Sequence, residues 1–81
     1  MGRESSTMWQ SELKELKVSL SENVRILRGL SGLSQEQLAL EAGVDRTLVS
    51  KIERTIANPT LEVITKLAVA LGVSAARLLR Q

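Results

Sequence analysis

The chain is predicted to be all-α, and three observations carry that expectation. Apolar residues recur at helical spacing along most of the 81 residues, and no segment alternates with period two between turn signals. Capping residues such as Ser34, Asp45 and Thr60 open the periodic runs, and Gly32, Gly43 and Gly72 close them. There is a single proline, Pro59, and no Tyr or Phe.

The elements follow in order. Residues 1–7 are expected to be a flexible N-terminus. Trp9, Leu13, Leu16 and Leu20 then recur at spacings of four, three and four, one helical stripe. Residues 8–18 are therefore an amphipathic helical segment, either a separate short helix or the start of a longer one, ahead of a domain spanning 19–81. Ser19 with Glu22 has capping-box spacing, which places a helix over about 20–30 with Leu20, Val24 and Leu27 inward and Gly32 as its stop. Ser34 with Gln37 repeats that spacing and opens a helix over 35–42, with Leu38, Ala39 and Ala42 inward and Gly43 directly after it. Asp45 caps a helix over 45–54. Pro59 and Thr60 precede a helix whose buried face is Leu61, Ile64, Leu67, Ala68 and Leu71, ended by Gly72. Ser74 caps a last short helix carrying Leu78 and Leu79. The connection at 42–45 is so short that the helices on either side form a tight αα corner, and the small Ala39 lets them cross closely.

The segment after that corner separates cleanly on a helical wheel. With Arg46 at zero and about 100° per residue, Ser50, Arg54, Thr47 and Lys51 fall between about 40° and 140°, while Leu48, Val49 and Ile52 fall between about 200° and 300°. The apolar set is core. The polar set is either a solvated face or a reading surface. It carries no acid, whereas an idle surface helix mixes charges of both signs. Arg, Lys, Ser and Thr are also the side chains that meet base edges and phosphates in a major groove.

Composition removes several functions. With no cysteine there are no disulfides or thiolate metal sites, and with no histidine the usual zinc ligands, imidazole acid–base chemistry and Ser-His-Asp triads lose a required part. No phosphate-binding loop or carboxylate cluster supports an enzyme, so no catalytic residue, metal or cofactor is assigned. The N-terminus has no apolar stretch of a secretory signal, and no run approaches the roughly 18 apolar residues that span a bilayer. The expectation is a cytoplasmic protein with no membrane partner and no evident small-molecule ligand. A net charge of +2 permits a nucleic-acid partner without showing one.

The span from about Ser19 to Leu79 resembles the phage-repressor class of helix-turn-helix domains, the Cro/CI or XRE family. The resemblance rests on RILRGLSGLSQEQLALEAGV, then DRTLVSKIER, then NPTLEVITKLAVALGVSAARLL, in the family's order and spacing. The DRT opening of the third helix also looks like controller proteins of restriction–modification systems. The resemblance implies a compact five-helix fold whose second and third helices bind DNA, the third in the major groove. It places Arg46, Thr47, Ser50 and Lys51 at base-reading positions, with Arg46 suited to a bidentate contact to guanine. It makes Gln35, Arg28, Arg54 and Asn58 candidates for phosphate, with continuation of the helix for Gln35 and local loop capping for Asn58 as the alternatives. Arg28 and Glu53 stand where some members form a pair, so Glu53 is read as an orienting, structural acid. Two departures stand out. Members commonly have glycine at the position of Thr55, where a β-branched residue is costly at positive φ, so this turn is expected to differ. Ile56 and Ala57 stand where basic residues are frequent, and Ile56 is an alternative cover for the core.

The function expected is a sequence-specific transcriptional regulator that binds double-stranded DNA as a homodimer on a pseudo-palindromic operator. One reading helix makes few contacts, and a domain of this size profits from extra buried surface. Leu78 and Leu79 at one end, or Trp9, Leu13 and Leu16 at the other, are the candidate dimer surfaces, with intramolecular core as the alternative for each. The competing reading is an antitoxin or other protein-interaction module built on the same fold.

Overall fold

The structure, a computed structural model, describes the backbone of residues 2–81 and the side chains of residues 8–81. Five helices follow one another: α1 (Gly2–Leu30), α2 (Gln35–Ala42), α3 (Arg46–Glu53), α4 (Leu61–Leu71) and α5 (Ala75–Leu79). No strand occurs among the described residues. No helix among them is long and apolar enough to cross a membrane.

α1 is one continuous helix of 29 residues. At 1.5 Å per residue it is about 43 Å long, close to the 45 Å long axis of the molecule. The capping pair expected at Ser19 and Glu22 does not start a helix, because the preceding residues are good helix formers and the backbone arrives already coiled. Ser19 is instead buried inside α1. Of the expected flexible segment 1–7, Met1 lies outside the described residues, and the backbone of the other six belongs to α1.

The other helix starts lie where their caps place them. Ser34 and Gln37 form a reciprocal capping box, and the side chains of Asp45, Thr60 and Ser74 each accept a backbone N–H of the first turn. Four helix ends repeat one closure. The N–H directly after the residue that turns the chain reaches back to a carbonyl five residues earlier: Leu33 to Arg28, Val44 to Ala39, Ile56 to Lys51 and Val73 to Ala68, at 2.9–3.1 Å. The residue that turns the chain has positive φ each time. It is Gly32, Gly43 and Gly72 in three cases and Thr55, at φ 66°, in the fourth. The turn at Thr55 thus keeps the conformation that the sequence argued against.

The core gathers one or more residues from every helix: Leu20 and Val24 from α1, Leu38 and Ala39 from α2, Val49 and Ile52 from α3, Ile64, Leu67 and Ala68 from α4, and Leu78 from α5. Ala57, from the loop after α3, joins them, whereas Ile56 is 60% exposed and does not cover the core. Leu61 departs from its expected burial at 74% exposed. It is the first residue of α4 and faces an open groove that residues of α1 and α5 also line. Leu78 is fully buried, so of the two expected interface leucines of α5 it is core. α5 packs against α1 and α4, and the buried Leu78 side chain is out of reach of a second molecule.

Candidate nucleic-acid interface

α3 is held so that its polar face is left free. Val49 and Ile52 are buried and Leu48 is half-buried against the core, which fixes the rotation of the helix. Arg46, Thr47, Lys51 and Arg54 are exposed and Ser50 half-exposed. Asp45 Oδ1 accepts the Thr47 backbone N–H at 2.9 Å, which uses the main chain of Thr47 and leaves its hydroxyl available. Gln35, at the first position of α2, comes to the same place. Gln35, Arg46, Thr47 and Ser50 line one open cleft of about 250 Å³. Three of the four expected base-reading residues and the expected phosphate contact at the N-terminus of α2 therefore share a surface, whereas the fourth, Lys51, and Arg54 are exposed outside that cleft.

Behind that surface lies a polar cluster centred on Glu53, whose side chain is 5% exposed. Arg28 donates to both carboxylate oxygens, Nε to Oε2 at 2.6 Å and NH2 to Oε1 at 3.0 Å. Its NH1 donates to the Leu33 carbonyl at 2.9 Å. Gln35 Nε2 donates to Glu53 Oε1 at 3.0 Å. Burial alone pushes the Glu53 carboxyl up, but the hydrogen bonds from Arg28 and Gln35, with the charges of Arg28 and Arg25, outweigh it and hold the group below the usual glutamate value. The bond to Glu53 raises Arg28 in turn, against the opposing effect of burial. The Arg28–Glu53 pair expected from the family resemblance is thus formed.

This geometry alters the expected phosphate set. All three nitrogens of the Arg28 guanidinium are already bonded within the chain, so Arg28 faces Glu53 and Leu33 in place of open solvent. Gln35 gives one amide hydrogen to Glu53 and retains a second. Asn58 is exposed but lines a different concavity, an apolar groove with Leu13, Leu16, Lys17, Leu20, Pro59, Leu61, Ile64 and Leu79.

That groove gathers most of the expected dimer residues. Leu13 and Leu16 line it from α1 and Leu79 lines it from α5. Trp9, 55% exposed, lines an adjoining hollow with Glu12, Leu13 and Leu16. Leu78 lies beneath, in the core.

Two polar residues escaped the sequence reading. Ser21 donates its hydroxyl to the Glu53 carbonyl at 2.7 Å. Asn23 Nδ2 donates to the carbonyls of Leu78 at 2.8 Å and Arg80 at 2.9 Å, and Arg77 NH1 donates to Asn23 Oδ1 at 3.2 Å. Each ties α1 to the C-terminal end of a helix more than thirty residues away. Neither leaves a periodic signal. The only sequence cue is a small polar residue beside the buried positions Leu20 and Val24.

Comparison with known proteins agrees with this architecture. A family model described as helix-turn-helix, HTH_3, matches residues 24–78. The chain is 47% identical over 66 residues to a hypothetical transcription factor of Neisseria meningitidis serogroup B, covering 82% of this chain and 62% of that protein. It is 45% identical over 65 residues to the control protein C.SmaI of Serratia marcescens, covering 80% of this chain and 77% of the relative. The crystal structure of the hypothetical transcription factor NHTF from Neisseria superposes with a TM-score of 0.78 at 48% identity, covering 80% of this chain and 75% of that one. The restriction–modification controller protein C.AhdI from Aeromonas hydrophila superposes with a TM-score of 0.73 at 42% identity, covering 76% and 94%. The chain therefore spans about three-fifths of the Neisseria relative's full length.

Proposed function

The chain belongs to the helix-turn-helix family HTH_3, of the Cro/CI (XRE) type, and from that premise we propose that it is a homodimeric, sequence-specific transcriptional regulator that reads the major groove with α3. The observation that carries the proposal is the shared cleft of Gln35, Arg46, Thr47 and Ser50. Arg46, at the first position of α3, contacts a guanine edge; Thr47, Ser50 and Lys51 complete the reading set. Gln35 offers its second amide hydrogen to a phosphate, supported by the free N–H groups and the positive end of the α2 dipole. Arg54 supplies a further phosphate contact, while Arg28 acts through Glu53. Asn58 keeps a place in the phosphate set only if the DNA backbone passes the loop before α4.

Dimerisation would bring two reading helices to half-sites about one helical turn apart, 34–36 Å, on a pseudo-palindromic operator. Leu79, Leu13, Leu16 and Trp9 form its surface, with the exposed Leu61 adjoining them, since a contiguous apolar patch on a small monomer marks an interaction site. A cytoplasmic location follows from the DNA partner. Control of a restriction–modification system is the narrower reading, favoured by the resemblance to C.SmaI and C.AhdI. A role as antitoxin or protein-interaction module is the competing one, and it is favoured if the folded chain retains no duplex DNA at about 0.1 M salt, where such binding is normally retained.

Side-chain removal tests the assignment. Arg46→Ala relaxes base preference at one position per half-site by about 1–3 kcal/mol, while Gln35→Ala weakens all sequences alike. An Arg46→Ala protein with unchanged affinity and unchanged preference contradicts the assignment. Sedimentation of only monomer at micromolar concentration, with and without DNA, contradicts the dimer.

A further inference from the structure

We propose that Ser21 is a positioning residue for DNA reading: its hydroxyl fixes where the C-terminal end of α3 sits, and thereby the axial register of Arg46 and Thr47 against base edges. The proposal rests on sequence reading by α3 as set out above.

The last four carbonyls of a helix have no partner within it. In α3 they belong to Ser50, Lys51, Ile52 and Glu53. The turn that follows takes three of them: the Arg54 N–H donates to Ser50 at 3.1 Å, the Ile56 N–H to Lys51 at 3.0 Å and the Thr55 N–H to Ile52 at 3.0 Å. The fourth, the Glu53 carbonyl, accepts the Ser21 hydroxyl at 2.7 Å. Ser21 is 3% exposed, so bulk water cannot supply the bond in its place.

Glu53 is consequently tied twice. Its carboxylate is bonded to Arg28 and Gln35, and its main chain to Ser21. The carboxylate sits at the end of a side chain with three rotatable bonds and tolerates sliding of the helix. The carbonyl is part of the helix itself, so the Ser21 bond restrains its axial position directly. α3 has 8 residues, and a helix that short moves as a rigid rod. A slide at Glu53 arrives undiminished at Arg46, and a bidentate base contact tolerates only about 0.5 Å of misplacement. The same bond helps hold Thr55 at positive φ, since such a conformation persists where its surroundings over-determine it.

The experiment compares wild type, Ser21→Ala and Ser21→Cys on the duplex that wild type selects from random DNA and on a scrambled duplex of equal length and composition. Binding is corrected for the folded fraction measured by circular dichroism at the assay temperature. The expected result is a selected-to-scrambled affinity ratio about 3- to 10-fold lower for Ser21→Ala and intermediate for Ser21→Cys, with an unaltered salt slope because no phosphate contact is lost. A merely structural role lowers the folded fraction and leaves the corrected ratio alone. A folded Ser21→Ala protein whose ratio falls less than threefold overturns the proposal. If Ser21→Ala does not fold, Ser21→Cys, with similar volume and a weaker donor, decides instead: a ratio equal to wild type overturns the proposal and a reduced one supports it. Wild type that selects no sequence defeats the reading of DNA itself, and that result appears before any variant is made.

Discussion

Replacing Thr55 by glycine is predicted to stabilise the protein, although it removes a half-buried side chain. Thr55 has φ 66°, in the left-handed region where Gly32, Gly43 and Gly72 close the other three turns of this kind. A Cβ there costs about 1–2 kcal/mol, and a β-branched residue lies towards the upper end. Two effects oppose the relief. Glycine adds unfolded-state freedom worth about 0.5–1 kcal/mol, and the loss of a half-buried methyl costs about 0.4 kcal/mol at roughly 0.8 kcal/mol per fully buried group. The remainder is a gain of about 0.5–1 kcal/mol, which for a domain of this size raises the melting temperature by about 2–8 °C. Thermal unfolding followed by far-ultraviolet circular dichroism reads this directly. Thr55→Ala is the control: it keeps the Cβ and relieves only the part of the strain due to β-branching, so it should raise the melting temperature less than Thr55→Gly does. A Thr55→Gly protein that melts below wild type refutes the view that the turn is strained.

Two further outcomes follow from the polar ties. Glu53→Gln leaves Arg28, whose side chain is 20% exposed, without its counter-charge, at a cost of about 1–3 kcal/mol near neutral pH. Because the Glu53 carboxyl is held below its usual value, its stabilisation is complete above the ordinary glutamate pKa of about 4.3 and is lost as pH falls towards the lower folded-state value. The stability difference between wild type and Glu53→Gln, from urea unfolding, should be flat above that range and shrink below it; a difference constant into strong acid contradicts the assignment. Asn23→Ala removes the donor to Leu78 and Arg80 and should cost about 1–2 kcal/mol. It should also speed amide exchange in α5 more than in α4, because five residues do not sustain a helix without their dock; equal protection in both helices counts against the tie.

Much of the fold was readable because its boundaries are written in local chemistry. The box of Ser34 and Gln37, the caps Asp45, Thr60 and Ser74, and the closing glycines act on their own neighbourhoods, and α2 and α4 begin and end where those residues place them. The division of α3 into a polar and an apolar face was visible for the same reason, as a helix segregates its faces by spacing alone. Ser19 and Glu22 misled because a capping spacing means nothing once the helix has already formed upstream. Leu78 and Leu79 are adjacent and chemically identical, and only the packing of α5 against α1 decides that one is core and the other lines a groove. Thr55 was read from its own conformational cost, whereas its conformation is enforced by bonds to α3 and by the hold of α1 on Glu53. Ser21 and Asn23 act on carbonyls brought near only by folding, so no spacing announces them.

In the proposed function, α3 reads a DNA sequence through Arg46, Thr47, Ser50 and Lys51. Selection of binding sites from random duplex DNA, carried out in parallel on wild type and Arg46→Ala, is the decisive measurement. Wild type is expected to enrich a two-fold symmetric motif with half-sites about one helical turn apart, and Arg46→Ala to lose preference for guanine at one position in each half-site. A folded wild-type protein that enriches no motif, or an Arg46→Ala protein that enriches the same motif undiminished, contradicts that function.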